Sequence, residues 1–440
     1  MRLGVKGKPI KSVNMKIGII IARIGGIDGV ALETEKWMEV LRRMGHEVYV
    51  VAGQFEKRKI DPSREKRIPE LSLFSPESYW GQKKAFFAPD ANPDEILEHY
   101  DLYADIIKDK LKKWLQEYGI ELVISENASA LPIHISLGMG IKRLLEETGL
   151  PAITHDHDFA WERGNRYRSQ HHDVNKLIGE TFPLCLPNTY HAVINTPAQK
   201  KLKEHYGRDA ILVPNVMDFE QPFGQITHHN QNLKADLGLE QEDIMLFQIT
   251  RIVSRKAIDV AIRLIDKLDD KRIKLVITGG YVDDEGNKHY HELMELIHEL
   301  GISEQVHFAY DKFSQGLTGD PASGIYSLSD AYAHARACTY FSTYEGFGNA
   351  FVEAVLSKTP IFVNNYKPVF WPDIGSKGFR TVMLEDNKLT DEKVEQMRKV
   401  IYNDRLNWEI GEYNYELGKK YFSYETLEEK LKELLEKVRG

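Results

Sequence analysis

Short runs of β-branched and other apolar residues alternate with longer amphipathic stretches along the whole chain. A first series comprises IGIIIA (17–22), EVYVVAG (47–53), ELVISEN (121–127), PAITHDHD (151–158), HAVINT (191–196) and AILVPN (210–215). A polar stretch follows, FGQITHHNQNLKADLG at 223–238. Then comes a second series: DIMLFQIT (243–250), IKLVITGG (273–280), QVHFAY (305–310), ACTYFST (337–343), PIFVNN (360–365) and TVMLED (381–386). Between the runs the apolar period becomes helical: over 30–44, Val30, Trp37, Leu41 and Met44 share one face. Nearly continuous apolar strands divided by helices predict parallel sheets covered on both faces. Two such series predict an α/β chain of two doubly wound, Rossmann-like domains. Ligands of such sheets bind at the carboxyl ends of the strands, so the expected site is a cleft between the domains.

The length of 440 residues exceeds what one ordinary core serves, which favours the same division. The expected boundaries are an amino-terminal extension at 1–14, a first Rossmann-like domain at 15–222 and a second at 223–419. A helix within 420–440, over 424–438, is expected to pack back on the first domain. With 42% hydrophobic and 28% charged residues, the composition is that of a water-soluble globular protein. A net charge of −8 gives no footprint of a nucleic-acid partner, and a bound anion would need a local basic cluster. KIGIIIA is far short of the ~20 apolar residues of a membrane span, so no membrane insertion is expected. The basic opening MRLGVKGKPIKSVN lacks a following apolar core and cleavage site, and reads as an extension rather than a targeting signal. Cys185 and Cys338, far apart, form no disulfide framework or thiolate metal site and suit a cytoplasmic location.

STYEGFGNAFVEAVLSK, starting at Ser342, carries more chemistry than a strand, turn and helix require. Gly346 and Gly348 allow backbone N–H groups to approach a ligand, and the helix start favours negative charge. Glu353, expected in the first helical turn, would accept two hydroxyl hydrogen bonds from a vicinal diol such as a ribose. Glu345, at the strand end, would take hydroxyls of a second group. The alternative is a helix cap with one solvated glutamate. THDHDFAWERGNRYR (154–168) gathers two histidines, a D-x-D pattern and three arginines.

The Glu345-x7-Glu353 spacing resembles the signature of retaining GT-B glycosyltransferases of family 4, and other segments match in order. ARIGGIDGVALETEKWMEVLRRMGHEVYVVAG is similar to that family's amino-terminal glycine loop, helix and strand. VPNVMDF (213–219) is similar to its linker entry, and ITRIVSRKAIDVAIRLI (249–265) to its phosphate-binding segment. LVITGG, LGISEQVHF and DAYAHARACTYFSTYEGFGNAFVEAV follow at familiar spacing. NNYKPVFWPDIGSKGFRTVML (364–384) departs from the commonest ending and resembles sucrose-phosphate synthase-like and mannosylglucosylglycerate synthase-like members, which act on small charged acceptors.

The resemblance implies a hexosyltransferase in which Arg251 and Lys256 face the donor diphosphate and stabilise the leaving group. Gly25 and Gly26 would close over the same diphosphate, while Glu345, Phe347, Gly348 and Asn349 contact the hexose and Glu353 the ribose. His157, with His155 the second choice, would lie beside the donor sugar. Arg163, Arg166 and Arg168, with Arg23, Lys83 and His155, are the candidate acceptor contacts, and their charge points to a sugar acid or sugar phosphate. The D-x-D pattern of Asp156 and Asp158 could hold a divalent ion such as Mg2+, but the likeness implies cationic side chains in that role, so no protein-bound metal and no required cofactor are expected.

Overall fold

The computed structural model describes residues 14–56, 61–280, 287–314 and 324–439. The expected extension at 1–14 lies outside them but for Asn14. The chain forms two compact units, one of residues 1–194, 198–213 and 427–440, the other of 195–197 and 214–426.

In the first unit, β1 (Lys16–Ile24), β2 (Glu47–Phe55), β3 (Glu65–Arg67), β4 (Leu122–Glu126), β5 (Ala152–Asp156), β6 (Thr189–Val193) and β7 (Ala210–Leu212) form one parallel sheet ordered β3-β2-β1-β4-β5-β6-β7. All five residues of β4 and of β5 are buried, as strands covered on both faces must be. The helix Gly29–Arg43 starts where Asp28 Oδ1 accepts the Ala31 N–H at 3.0 Å and ends with Arg42 and Arg43 complementing its dipole. The helix Pro93–Tyr118 runs from an Asn92 cap to Gly119 in the left-handed region at φ 66°. Its Ile107, Leu111 and Trp114 join Ile20, Val51 and Val123 in the core.

In the second unit, β8 (Ile244–Gln248), β9 (Ile273–Ile277), β10 (Val306–Phe308), β11 (Ala337–Tyr340), β12 (Ile361–Asn364) and β13 (Met383–Leu384) form a parallel sheet ordered β10-β9-β8-β11-β12-β13. The helix Ile258–Leu268 buries Ile258, Ile262, Ile265 and Leu268 in the core with Leu246, Leu275 and Ile277 of the strands. Each such side chain contributes about 1.5–3 kcal/mol.

The chain enters the second unit at Pro214 rather than near residue 222. Local bonding explains the difference: the Met217 N–H donates to Phe422 O at 2.8 Å and the Tyr415 hydroxyl to Phe219 O at 3.0 Å. The final helix spans Tyr424–Arg439, and from Leu427 onward it belongs to the first unit, with Leu427, Leu431, Leu434 and Leu435 buried. Among the described residues no helix is long and apolar enough to cross a membrane.

Strand order reverses between β1 and β4 in the first sheet and between β8 and β11 in the second. Loops leaving adjacent strands at such a reversal diverge and open a crevice at the carboxyl edge. The two crevices receive most of the chemistry-bearing residues.

Candidate active site

At the reversal in the second sheet, the segment after β8 meets the one after β11. Lys256 Nζ donates to Glu345 Oε1, and Arg255 Nη1 donates to Glu345 Oε2 at 3.1 Å and to Tyr344 O at 3.0 Å. Lys256 and Glu345 are buried at 8% and 9% exposure, with the ammonium 5.3 Å from the Tyr340 ring centroid. Burial pushes the Glu345 carboxyl up, but the Lys256 and Arg255 cations more than reverse this, so it lies below the usual range. Burial pulls the Lys256 ammonium down; Glu345 opposes the shift, while Arg255 and Arg251 add to it. Arg251 is exposed and close enough to be felt at Lys256. Two cations thus grip one buried carboxylate, and a third, Arg251, stands near enough to act on Lys256. Arg255 escaped the sequence reading because no spacing distinguished it from Arg251.

The turn after Glu345 is fixed by side chains from distant strands and loops. The Tyr366 hydroxyl donates to Phe347 O at 2.8 Å, Asn195 Nδ2 to Gly346 O at 2.8 Å and Asn215 Nδ2 to Asn349 Oδ1 at 2.8 Å. Gly348 has φ 124°, and a Cβ there would meet Tyr366 Oη at 2.1 Å, so only glycine fits. The helix that follows is Asn349–Leu356, with no acidic residue in its first turn. Glu353 therefore lies one turn further along than expected, because the helix begins only after Gly348. It is half-buried, and the Tyr332 hydroxyl donates to its Oε2 at 3.0 Å.

At the reversal in the first sheet, Arg23, Asp28, Glu126, Asn127, His134 and Asp158 are among the residues lining a cavity of about 210 Å3. Gly25 and Gly26 are buried in the loop after β1; Gly25 has φ 81°, and a Cβ on Gly26 would meet the Glu56 carboxylate at 2.6 Å. Beneath the cavity, His155 Nδ1 lies 2.9 Å from Glu126 Oε2, and His157 Nε2 lies 3.9 Å from the same oxygen. Trp37 stacks on the His155 ring with centroids 4.0 Å apart, and the His155 and His157 centroids are 4.3 Å apart. Burial pushes the Glu126 carboxyl up to about 8 and pulls both imidazoles down to about 3. The imidazoles are therefore neutral at physiological pH. Glu126 was not singled out in the sequence. Its signal is a carboxylate closing an otherwise uncharged, buried strand.

The candidate acceptor residues are not gathered into one pocket. Arg23 pairs with Asp28 at 3.2 Å and lies 3.9 Å from Glu56. Arg163 donates to Asp158 at 2.6 Å. Arg166 and Arg168 are exposed on the turns that follow, Lys83 is exposed on the helix Pro76–Phe87, and none of the three lines the cavity. Local backbone bonds, Arg166 N–H to Arg163 O and Arg168 N–H to Asn165 O, make the turn, and buried Tyr167 anchors it. Asp156 and Asp158 take different partners: the Thr154 hydroxyl donates to Asp156 at 2.7 Å, whereas Asp158 holds Arg163.

Residues 229–417 match the family described as glycosyl transferases group 1. The mannosylglucosylglycerate synthase of Thermotoga maritima is 29% identical over 94% of this chain and 98% of its own length. The mannosylglucosylglycerate synthase of Petrotoga mobilis is 32% identical over 84% of this chain and 86% of its own. Among solved structures, the sucrose-phosphate synthase of Thermosynechococcus elongatus aligns over 97% of this chain and 99% of its own, with a TM-score of 0.63 and 16% identity, a likeness of fold.

Proposed function

Given that the chain belongs to the group 1 glycosyltransferases and has the GT-B fold, we propose that it moves a hexose from a nucleotide-diphosphate sugar of the GDP-mannose or UDP-/ADP-glucose type to a small anionic acceptor. The anomeric configuration is retained, and the product is of the mannosylglucosylglycerate kind, a compatible solute. The names and nearly full-length coverage of the two synthases support the product class. The observation that carries the reading is the buried Glu345 gripped by Lys256 and Arg255, followed on the next helix by Glu353 oriented by Tyr332.

In this reading Arg251, Arg255 and Lys256 neutralise the diphosphate and stabilise the charge that grows on it as the glycosidic bond breaks. Glu345 accepts hexose hydroxyls and keeps Lys256 charged and placed. Glu353 accepts from the ribose diol, and the amides of Phe347 to Asn349 face the sugar and phosphate. The leaving phosphate takes the acceptor hydroxyl's proton on the same face of the sugar, so no protein nucleophile is required, and rate comes from positioning and electrostatics. Arg23 and Arg163, on the first unit, are the acceptor contacts, and each would exchange its present carboxylate partner for the acceptor's anion. The two free thiols, Cys185 and Cys338, suit a reducing cytoplasm.

The test supplies GDP-mannose, UDP-glucose and ADP-glucose in turn, with and without a sugar acid or a sugar phosphate. Nucleoside diphosphate release and the product's anomer are followed. Release that needs the sugar acid, with retained configuration, is expected; preference for the sugar phosphate indicates a sucrose-phosphate synthase-like acceptor, and an epimerised donor formed without acceptor indicates a 2-epimerase. Glu353→Gln should weaken nucleoside diphosphate binding about 10-fold or more, the loss of a charged hydrogen bond. Glu345→Gln should chiefly lower kcat. Unchanged kinetics in both variants would refute the site.

A further inference from the structure

We propose that Glu126, His155 and His157 form a binding site for one divalent transition-metal ion of the zinc type, under the cavity of the first unit. The site is separate from the cations assigned to the donor, and the proposal stands whether or not the transfer reaction is as described above.

The three residues offer one ligand atom each, all within 4.8 Å of one another. Glu126 Oε2 is 2.9 Å from His155 Nδ1 and 3.9 Å from His157 Nε2. Bonds of about 2.1 Å to a tetrahedral ion put ligand atoms about 3.4 Å apart, a value these two distances bracket. Glu126, His155 and His157 are 2%, 1% and 6% exposed, so bulk water does not satisfy them. His157 Nε2 has no hydrogen-bond partner among the described residues, although it is aimed at a carboxylate just beyond hydrogen-bond reach. A buried polar nitrogen left in this state needs an explanation, and an ion between the three ligands provides one.

The surroundings hold the ligands in place, as metal sites require. Trp37 stacks on the His155 ring, and Asn127 Oδ1 accepts the His157 backbone N–H at 3.0 Å. Glu126 also lines the cavity, which leaves a fourth coordination position facing it for water or for a hydroxyl or carboxylate oxygen. The charged neighbours are compatible with an ion. Lys36 is ion-paired with Glu33, and Asp156 and Asp158 are engaged by Thr154 and Arg163. On binding, the ion takes the place of the proton shared between Glu126 and His155, and that proton goes to solvent.

The test uses the full chain purified without chelator, its metal content read by plasma mass spectrometry. Chelator-treated protein is then titrated with Co2+, and the visible d–d absorption is recorded. About one ion per chain is expected, with intense bands of four- or five-coordinate cobalt that Zn2+ abolishes on displacing it. Glu126→Gln and His157→Gln should each weaken Co2+ binding by about 10-fold or more. His172→Ala, at an exposed position, should leave it unchanged. Circular dichroism verifies that each variant is folded. For a variant that does not fold, a rise in the wild-type melting temperature with Zn2+ is the second measurement. Absence of cobalt bands in the wild-type protein, or bands that survive in a folded Glu126→Gln variant, would overturn the proposal.

Discussion

Replacing Gly348 by alanine tests whether the turn before the helix Asn349–Leu356 is built as described. Two separable costs follow from its geometry. At φ 124° a residue with a Cβ is strained by about 1–3 kcal/mol. The new Cβ would also stand 2.1 Å from Tyr366 Oη, and Tyr366, 1% exposed, has no room to swing away. Displacing it forfeits the hydrogen bond to Phe347 O, worth about 1 kcal/mol, and forces repacking worth about 1 kcal/mol or more. Gly348→Ala should therefore destabilise the second unit by about 4 kcal/mol, which in a unit of this size lowers its melting temperature by about 8–16 °C. Tyr366→Phe alone should cost about 1 kcal/mol for the lost hydrogen bond. In the double variant the nearest ring atom is Cζ at 3.1 Å, so the clash nearly disappears while the backbone strain stays. The pair should then cost about 3 kcal/mol, less than the roughly 5 kcal/mol of independent effects. Urea unfolding of the four proteins, read on the second unit's transition, measures this coupling. Strict additivity, or a Gly348→Ala variant as stable as the parent, would show that Tyr366 does not clamp the turn.

Lys256→Met removes the cation closest to the buried Glu345 and should cost about 3 kcal/mol, the low end for breaking a buried pair because Arg255 still contacts the carboxylate. The Lys256→Met/Glu345→Gln pair should recover part of that stability in the same urea assay, and no recovery would mean the two side chains are not coupled. His134 should make the first unit acid-sensitive. Its Nδ1 accepts the Leu137 N–H at 3.3 Å and its Nε2–H donates to Glu70 O at 2.7 Å, so only the neutral ring fits. Burial pulls its pKa to about 4, below the unfolded value near 6.5. The contribution is thus complete above pH 6.5 and is lost as pH falls through 4, amounting to about 3 kcal/mol. Unfolding free energies at pH 7 and pH 4 should differ by that much less in His134→Asn, which caps without titrating; equal pH dependence in both proteins would contradict the assignment.

The apolar runs were enough to find the strands of both sheets except β3, and the reason is chemical. Glu65–Arg67 is an edge strand of three charged residues that pairs with β2 by its backbone ladder and an Arg67 Nε bond to Gly53 O at 3.3 Å, and no apolar side chain announces it. Glu345 was legible because spacing within a strand–turn–helix survives folding, and Lys256 because its segment resembles the family's phosphate-binding segment. Arg255 was not, since no spacing distinguished it from Arg251 and only the fold brings it to Glu345. The same holds for Tyr332, whose hydroxyl reaches Glu353 from another helix. The arginines at 163, 166 and 168 lie close in sequence but do not share one environment. Short backbone hydrogen bonds turn the segment so that Arg163 meets Asp158 while Arg166 and Arg168 are exposed and Tyr167 is buried, a division that side-chain charge in the sequence does not reveal.

The two reversals in strand order explain why the chemistry is divided as it is. Each brings together loops from strands adjacent in space but distant in sequence, β8 with β11 and β1 with β4. In the second unit the meeting loops supply two cations on one ionised carboxylate with Arg251 near Lys256, a field suited to a doubly charged phosphate chain. In the first unit the end of β4 and the adjoining β5 supply a carboxyl pushed up to about 8 by burial and neutral imidazoles, which repel no incoming anion. One fold plan used twice thus yields two unlike environments because the residues at the carboxyl ends of β4, β5, β8 and β11 differ, not because the sheets do. Neutralising Arg255 and Lys256 should abolish transfer while leaving the second sheet intact, since both side chains lie past the last ladder pair of β8, at Gln248.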